Sequence, residues 1–410
     1  MNEKLRRDAE AIVRAAISSV LPDRAVERAL SGMTFPGRVF LVAAGKAAWQ
    51  MSRAAVNCLQ TPIFGGICVT KYGHVLAPIE GVECIEAGHP VPDENSFRAT
   101  ARVLELTKDL LPTDTVLFLL SGGGSALFEK PLIDGAELAD ITGQLLACGA
   151  DIVKINTIRK RLSAVKGGKF AHWCAPAHVE AVVLSDILGD PLDMIASGPA
   201  AADSSTCADA LAIAKECGLQ MSDRAWECLN TETPKELHNV HTQIIGSVRQ
   251  LCTAAEAECR KLGYEPIFLT DRLCCEAKAA GSFLASILRS HAGTGQKLAF
   301  LAGGETVVRL TGKGKGGRNQ ELALGAAEEL AGLNACVISV GSDGTDGPTD
   351  AAGGYTDGDT LAQLATHGLT PAAVLRDNDA YHALKAVDGL IFTGPTGTNV
   401  NDVAVALVEG

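Results

Sequence analysis

Apolar positions along the chain gather into short unbroken runs, separated by longer stretches with helical spacing. Residues 38–44 (RVFLVAA), 66–70, 115–120 (TVLFLL) and 179–184 are such runs. Their length suits strands, and their continuity suits strands covered on both faces by helices, as in a parallel sheet. Helices are expected at about 47–59 and over 92–111, the latter with Asp93 and Glu94 in its first turn. Beyond the polar, proline-containing stretch 231–239 a second series begins. Its expected strands are 241–246, 266–270, 297–302, 306–310, 335–340 and 390–393, with a helix over 248–262. The alternation predicts an α/β protein. The division is expected near residue 235, giving domains 1–235 and 236–410, with the first helix able to cross over to the second. No short internal repeat or low-complexity tail interrupts the pattern.

Composition narrows the picture. A chain of 410 residues exceeds one ordinary core, and 47% hydrophobic with 20% charged residues is the balance of a globular protein. The formal net charge of -12 argues against a general nucleic-acid partner. Thirteen cysteines contain no C-x-x-C, and only Cys274 and Cys275 are close in sequence. Cys68, Cys148 and Cys336 sit among small apolar residues and are expected to act as free, buried hydrophobes, so no disulfide framework is anticipated. The N-terminal segment mixes both charge signs, and no run approaches the roughly 18 apolar residues of a membrane span. A cytoplasmic protein without a membrane partner is expected.

Against this acidic background, one positive cluster matters. Residues 312–321 read GKGKGGRNQE, between a β-branched run and a run of helix formers. Glycines such as Gly314 and Gly316 expose backbone N–H groups, a following helix aims its positive end at them, and Lys313, Lys315 and Arg318 add charge, so an anion is expected there. The same string satisfies G-x-G-x-x-G, with Asp343 about 25 residues on, which would fit a dinucleotide. Two lysines inside the loop favour a triphosphate with a transferable group.

Other polar residues follow expected strands, where α/β sheets bind ligands. Residues 38–44 lead into Gly45 and Lys46, and residues 115–120 into Ser121, Gly122, Gly123, Gly124 and Ser125, an array of N–H and O–H donors for phosphate or carboxylate. No Walker signature occurs. Residues 179–184 lead to Asp186 and Asp190, candidates for Mg²⁺ binding or for accepting a proton from a substrate hydroxyl, but equally for turn formation. Five cations within 159–169, Lys166 among them, read either as a solvated helix face or as phosphate neutralisers. The second half adds Gly303, Gly304 and Glu305, then the carboxylate-rich turn 341–347.

Several long strings together resemble the type II glycerate kinases, whose C-terminal portion is known as the MOFRL domain. They are VAAGKAA (42–48), LSGGGSAL (120–127), NTIRKRLSAVKGGK (156–169), VLSDILGDPLDMIASGP (183–199), GGETVVRLTGKGKGGRNQELAL (303–324) and GSDGTDGPTDAAGG (341–354). The resemblance runs over essentially the whole chain. It implies a Rossmann-like parallel-sheet N-terminal domain, a smaller α/β C-terminal domain with its MOFRL region at about 297–405, and an active-site cleft between them. It implies ATP- and Mg²⁺-dependent phosphorylation of D-glycerate, usually to 2-phosphoglycerate, with these small molecules as partners and a homodimer as a compatible assembly.

The family's important lysine falls on Lys46 and its important arginine on Arg318. With Asp186 these are the expected catalytic residues. Nucleotide phosphates are expected at Gly45, Ser121 to Ser125, Lys154, Lys166, Gly314 and Gly316, the substrate at Glu305, Asn319 and Gln320, and Mg²⁺ at Asp186, Asp190 and Asp343. Some family members carry an older label of hydroxypyruvate reductase, so NAD(P)H-dependent reduction is the alternative. A non-catalytic anion-binding sensor is another.

Overall fold

The structure, a computed structural model, describes residues 2–410. The chain divides into two compact units, Pro22–Ile245 and Met1–Leu21 with Gly246–Gly410. The division falls later than residue 235, and the first helix belongs with the C-terminal unit. That helix, Glu3–Ser19, buries Leu5, Ala9, Ile12, Val13 and Ala16 on one face and packs on helix Val248–Lys261. The Tyr264 hydroxyl donates to Asp8 on the same helix at 3.0 Å. An amphipathic stripe needs a partner surface, and here that partner lies some 240 residues away in sequence.

The first unit is built on six strands: β1 Val39–Ala44, β2 Ile63–Lys71, β3 Val82–Ala87, β4 Thr115–Leu120, β5 His178–Leu184 and β6 Val240–Gly246. They stand in the order β3-β2-β1-β4-β5-β6. The pairs β3/β2, β2/β1, β1/β4 and β4/β5 are parallel. Every residue of β1 and β4 is buried, as their unbroken apolar sequences require. Beneath the sheet, Phe118, Phe128 and Phe170 meet with ring centroids 5.0–5.5 Å apart. This strand order is that of the dinucleotide-binding Rossmann sheet, and its direction of progression reverses between β1 and β4.

The second unit carries β7 Glu265–Leu273, β8 Lys297–Gly304, β9 Ala335–Gly341, β10 Gly353–Asp357, β11 Leu390–Ile391 and β12 Asp402–Glu409, in the order β11-β10-β9-β12-β8-β7. Only β7/β8 is parallel; the other pairs are antiparallel, because β12 inserts between β8 and β9. The expected strand 306–310 does not form. Val307 makes one isolated bridge to Glu276, and Val307 and Leu310 are 56% and 81% exposed. Its β-branched residues have strand propensity but no sheet edge to join.

Two further expectations are corrected. Cys148 is not a free core hydrophobe: it is exposed and forms a disulfide with Cys217, joining two helix C-termini across a Cα–Cα distance of 5.6 Å. The cations of 159–169 are not a solvated face, and Lys160, Arg161 and Lys169 are held by partners within the protein. Lys160 and Arg161 are buried against Asp203, at 3.0 and 3.5 Å. The Lys169 ammonium donates to the carbonyls of Lys160, Arg161 and Ser163 at 2.7–3.2 Å, capping helix Ile152–Leu162. No described helix is long and apolar enough to cross a membrane.

Candidate active site

In the first unit the parallel strands deliver their polar residues at one end of the sheet. β1 runs into Gly45 and Lys46, β2 ends at Lys71 with His74 just beyond, β3 is followed by Gly88 and His89, β4 by Ser121 to Gly124, and β5 by Ser185 and Asp186. The reversal between β1 and β4 opens a crevice there. Its two loops are stitched together: the Lys46 N–H donates to the Gly122 carbonyl at 2.8 Å, and the Ala47 N–H to the buried Ser121 hydroxyl at 3.1 Å. The N–H groups of Gly122 and Gly123 have no acceptor among the described residues. Gly123 has φ +86°, and a β-carbon there would lie 2.9 Å from the His89 ring and 3.3 Å from Lys46 Cγ, so imidazole and lysine stem both close on bare backbone. The Ser125 hydroxyl lies 3.3 Å from that of Ser197, which donates to Asn156 at 2.9 Å.

The Asp186 carboxylate rests on the same loop, since a β-carbon on Gly122 would lie 2.3 Å from its Oδ2. Asp190 closes the next turn with φ +54°. Asp343 belongs to the other unit, and no group of three or more His, Cys, Asp or Glu side chains with metal-binding spacing occurs among the described residues. The expected three-aspartate metal site is therefore not assembled within either unit. Mg²⁺ nevertheless commonly binds through one or two carboxylates together with substrate phosphates, and the donor chemistry of Asp186 beside the loop fits that mode.

Lys166 and Lys154 do not face this crevice. Lys166 is completely buried; its ammonium donates to the Ser125 and Phe128 carbonyls at 2.9 Å and pairs with Glu129 at 3.4 Å. Burial pushes its pKa down to about 8. It braces the loop from beneath. Lys154 pairs with Glu216 at 2.6 Å.

The glycine-lysine loop of the second unit is filled by its own protein from Thr311 to Lys315. The N–H groups of Thr311 and Gly312 donate to Asn378 Oδ1 at 2.7 and 2.9 Å, that of Lys313 to the Asp377 carboxylate at 3.1 Å, and that of Lys315 to Asp379 at 2.9 Å. The Gly314 N–H donates to the Asp377 carbonyl at 2.8 Å. Helix Arg318–Gly325 has its positive end occupied as well: buried Asp346 accepts from the N–H groups of Asn319 and Gln320 at 3.1 and 2.9 Å. Gly317 is glycine because a β-carbon would lie 2.3 Å from the Asp346 carboxyl carbon. At Gly314 the expected phosphate is thus replaced by a carbonyl of the chain itself, and the neighbouring N–H groups are taken by carboxylates and an amide, whereas the Gly316 N–H has no acceptor among the described residues.

Asn319 and Gln320, expected at the substrate, are instead buried. The Asn319 carbonyl accepts from Ser339 at 2.6 Å, and the Gln320 amide donates to Thr349 at 2.9 Å.

Arg318 is different. Its Nε and Nη2 donate to the two Asp402 oxygens at 2.6 and 3.0 Å, Nη1 lies 3.1 Å from Glu305, and 33% of the side chain stays exposed. Burial opposes its charge, but the Asp402 carboxylate more than restores it, so its pKa is raised. Burial in turn lifts Asp402 to about 6, against the pull of the guanidinium. Sequence reasoning missed Asp402 because only β12 brings it beside Arg318. It missed His89 because two glutamates interrupt the apolar residues of β3 (VECIEA).

A Rossmann-ordered sheet with an open glycine loop at its switch point, followed by a mixed-sheet unit, defines a two-unit α/β protein of the kind that handles small anionic ligands. Residues 8–230 match the model of a domain of unknown function, and residues 298–402 match the MOFRL family. The chain is 50% identical to the D-glycerate 2-kinase of Thermotoga maritima, over 99% of each chain. It is 38% identical to a putative hydroxypyruvate reductase of Agrobacterium vitis, over 97% of this chain and 93% of that one. The crystal structure of a glycerate kinase from Thermotoga maritima superposes with a TM-score of 0.96 at 49% identity, covering 99% of this chain and 100% of that one. The chain belongs to the glycerate 2-kinase family with a C-terminal MOFRL domain.

Proposed function

We propose that this protein transfers the γ-phosphoryl group of ATP to the 2-hydroxyl of D-glycerate. The observation that carries the reading is the loop after β4, whose Gly122 and Gly123 N–H groups lack acceptors among the described residues and lie beside Lys46, a lysine with no carboxylate partner among them. In the transfer a glycerate oxygen bonds to the γ-phosphorus, the bond from that phosphorus to the β-bridging oxygen breaks, ADP leaves, and the hydroxyl proton passes to a base.

Gly122 and Gly123 bind phosphate oxygens, and Lys46 neutralises the migrating group. Asp186, against the loop backbone, accepts the hydroxyl proton or, with Asp190, holds Mg²⁺. That ion, when bound, supplies charge neutralisation on the nucleotide phosphates. On the second unit Arg318, aimed by Asp402 and with Glu305 beside it, is the cation available to an anionic group of the substrates. Exclusion of water keeps ATP from hydrolysis. The same reading makes the chain a cytoplasmic enzyme, and light scattering would distinguish a monomer from a homodimer.

The test uses two mixtures. Purified protein with D-glycerate and MgATP is expected to release ADP and give a phosphorus NMR signal of a secondary phosphate ester. With hydroxypyruvate and NADH it is expected to leave nicotinamide absorbance unchanged. Loss of that absorbance without ADP release would establish the reductase instead. Thermal stabilisation by these ligands without turnover would establish a sensor.

A further inference from the structure

His89 was not among the residues expected from the sequence, yet it lies at the crevice. Its ring meets Gly123 from the β3 side, and Lys46 meets the same glycine from the β1 side. Neither imidazole nitrogen has a hydrogen-bond partner among the described residues, and the Lys46 ammonium has none either. Around His89 stand the charges of Lys46, Lys71 and His74; with burial first, they hold it below the usual histidine range. Most lysines and arginines of this acidic chain have carboxylate partners; Glu86 stands by His74, but the Lys46 ammonium has no carboxylate partner among the described residues, so the Gly123 side of the cluster suits an anion from outside.

The turn that carries His89 is clamped. Asp93 accepts from the Gly88 N–H, from the Tyr72 hydroxyl at 2.6 Å and from the Ser96 N–H at 3.0 Å. The ring is therefore presented to the crevice by a fixed support. His74 is fixed too, its Nδ1 lying 3.0 Å from the Lys46 carbonyl.

We infer that His89 binds the carboxylate of the acceptor substrate, donating a hydrogen bond to one of its oxygens beside Lys46. The inference rests on the phosphoryl-transfer reading. In that reading the Gly122 and Gly123 N–H groups, on the β4 side, take phosphate oxygens, which leaves the β2 and β3 side of the cluster for a second anion. D-Glycerate has a single anionic group, its carboxylate.

The experiment compares wild type with His89→Ala and with His89→Asn, which keeps a donor. His89→Ala is expected to raise KM for D-glycerate about 10-fold or more, the loss of one charge-assisted hydrogen bond, with KM for ATP within about twofold. His89→Asn is expected to recover part of that loss. Glyceramide, with the same hydroxyls and a neutral amide, adds a readout that altered folding would not move. The wild-type preference for D-glycerate over glyceramide should shrink in His89→Ala.

An unchanged KM for D-glycerate in a folded His89→Ala, or a rise in KM for ATP instead, overturns the assignment. The second result would place His89 at a nucleotide phosphate. If His89→Ala does not fold, the same criteria apply to His89→Asn. Absence of any ADP release by wild type would sink the phosphoryl-transfer reading itself, a different outcome from an active wild type with an indifferent His89.

Discussion

Two glycine-rich connections in this protein look alike in sequence and differ in structure. The loop after β4 leaves two backbone N–H groups without acceptors and packs a histidine and a lysine against its bare backbone. The loop at 312–317 carries more glycines and more positive charge, yet the N–H groups of Gly312 to Lys315 and the helix end behind them are satisfied by Asp346, Asp377, Asn378 and Asp379, leaving only those of Gly316 and Gly317 without an acceptor among the described residues. Glycine admits a close approach to backbone; it does not specify what approaches. At β4 the space is open to a ligand, and at 312–317 the chain itself occupies it.

The strongest test of this contrast removes charge. Lys46→Ala and Arg318→Ala are each expected to lower kcat at least ~100-fold with folding retained, as when transition-state charge stabilisation is lost. Normal turnover by both would remove Lys46 and Arg318 from the chemistry. Next, Asp346→Ala leaves buried N–H groups at the start of helix Arg318–Gly325 without their acceptor. It should cost about 2–4 kcal/mol in urea unfolding, while KM for ATP stays unchanged in the folded protein.

A paired substitution then addresses the glycines. Gly123→Ala forces a side chain onto φ +86° and into His89, and should raise KM for ATP about 10-fold. Gly316→Ala, where a β-carbon would meet Ala380 at 3.3 Å, should change stability by about 1 kcal/mol and KM for ATP by less than twofold. Equal effects on KM would erase the distinction between the loops.

The smallest effect is on pH dependence. Lys166 titrates at about 8 in the folded chain against an ordinary 10.5, because burial disfavours its charge. Between those values the unfolded chain binds more protons, so this lysine's contribution to stability grows as pH rises from about 8 to 10 and is lost as pH falls through 8. Urea unfolding of Lys166→Met should show a flatter dependence over that window than wild type.

Much of the fold is legible in local pattern. β1 and β4 match runs of apolar residues, because a strand buried on both faces tolerates nothing else. β3 is not legible in this way, since an edge strand with partly exposed residues carries glutamates among its apolar positions and has no unbroken apolar run. The segment 306–310 has strand composition and no strand, because pairing needs an available sheet edge. Among the proposed site residues, Lys46 and Arg318 are visible as cations beside glycine. Lys166, Asn319 and Gln320 are polar residues near glycine in sequence too, but their polar atoms are consumed by buried partners.

The sequence by itself determined an α/β chain, its central strands, and which loops could expose backbone to an anion, because these follow from side-chain volume, polarity and φ freedom. Only tertiary structure decided which loops stay open, that β12 inserts between β8 and β9 to set Asp402 against Arg318, and that the first helix joins the C-terminal unit. Those outcomes depend on partners hundreds of residues apart, and a hydrogen-bonding group is free or spent according to what the fold places within about 3 Å of it.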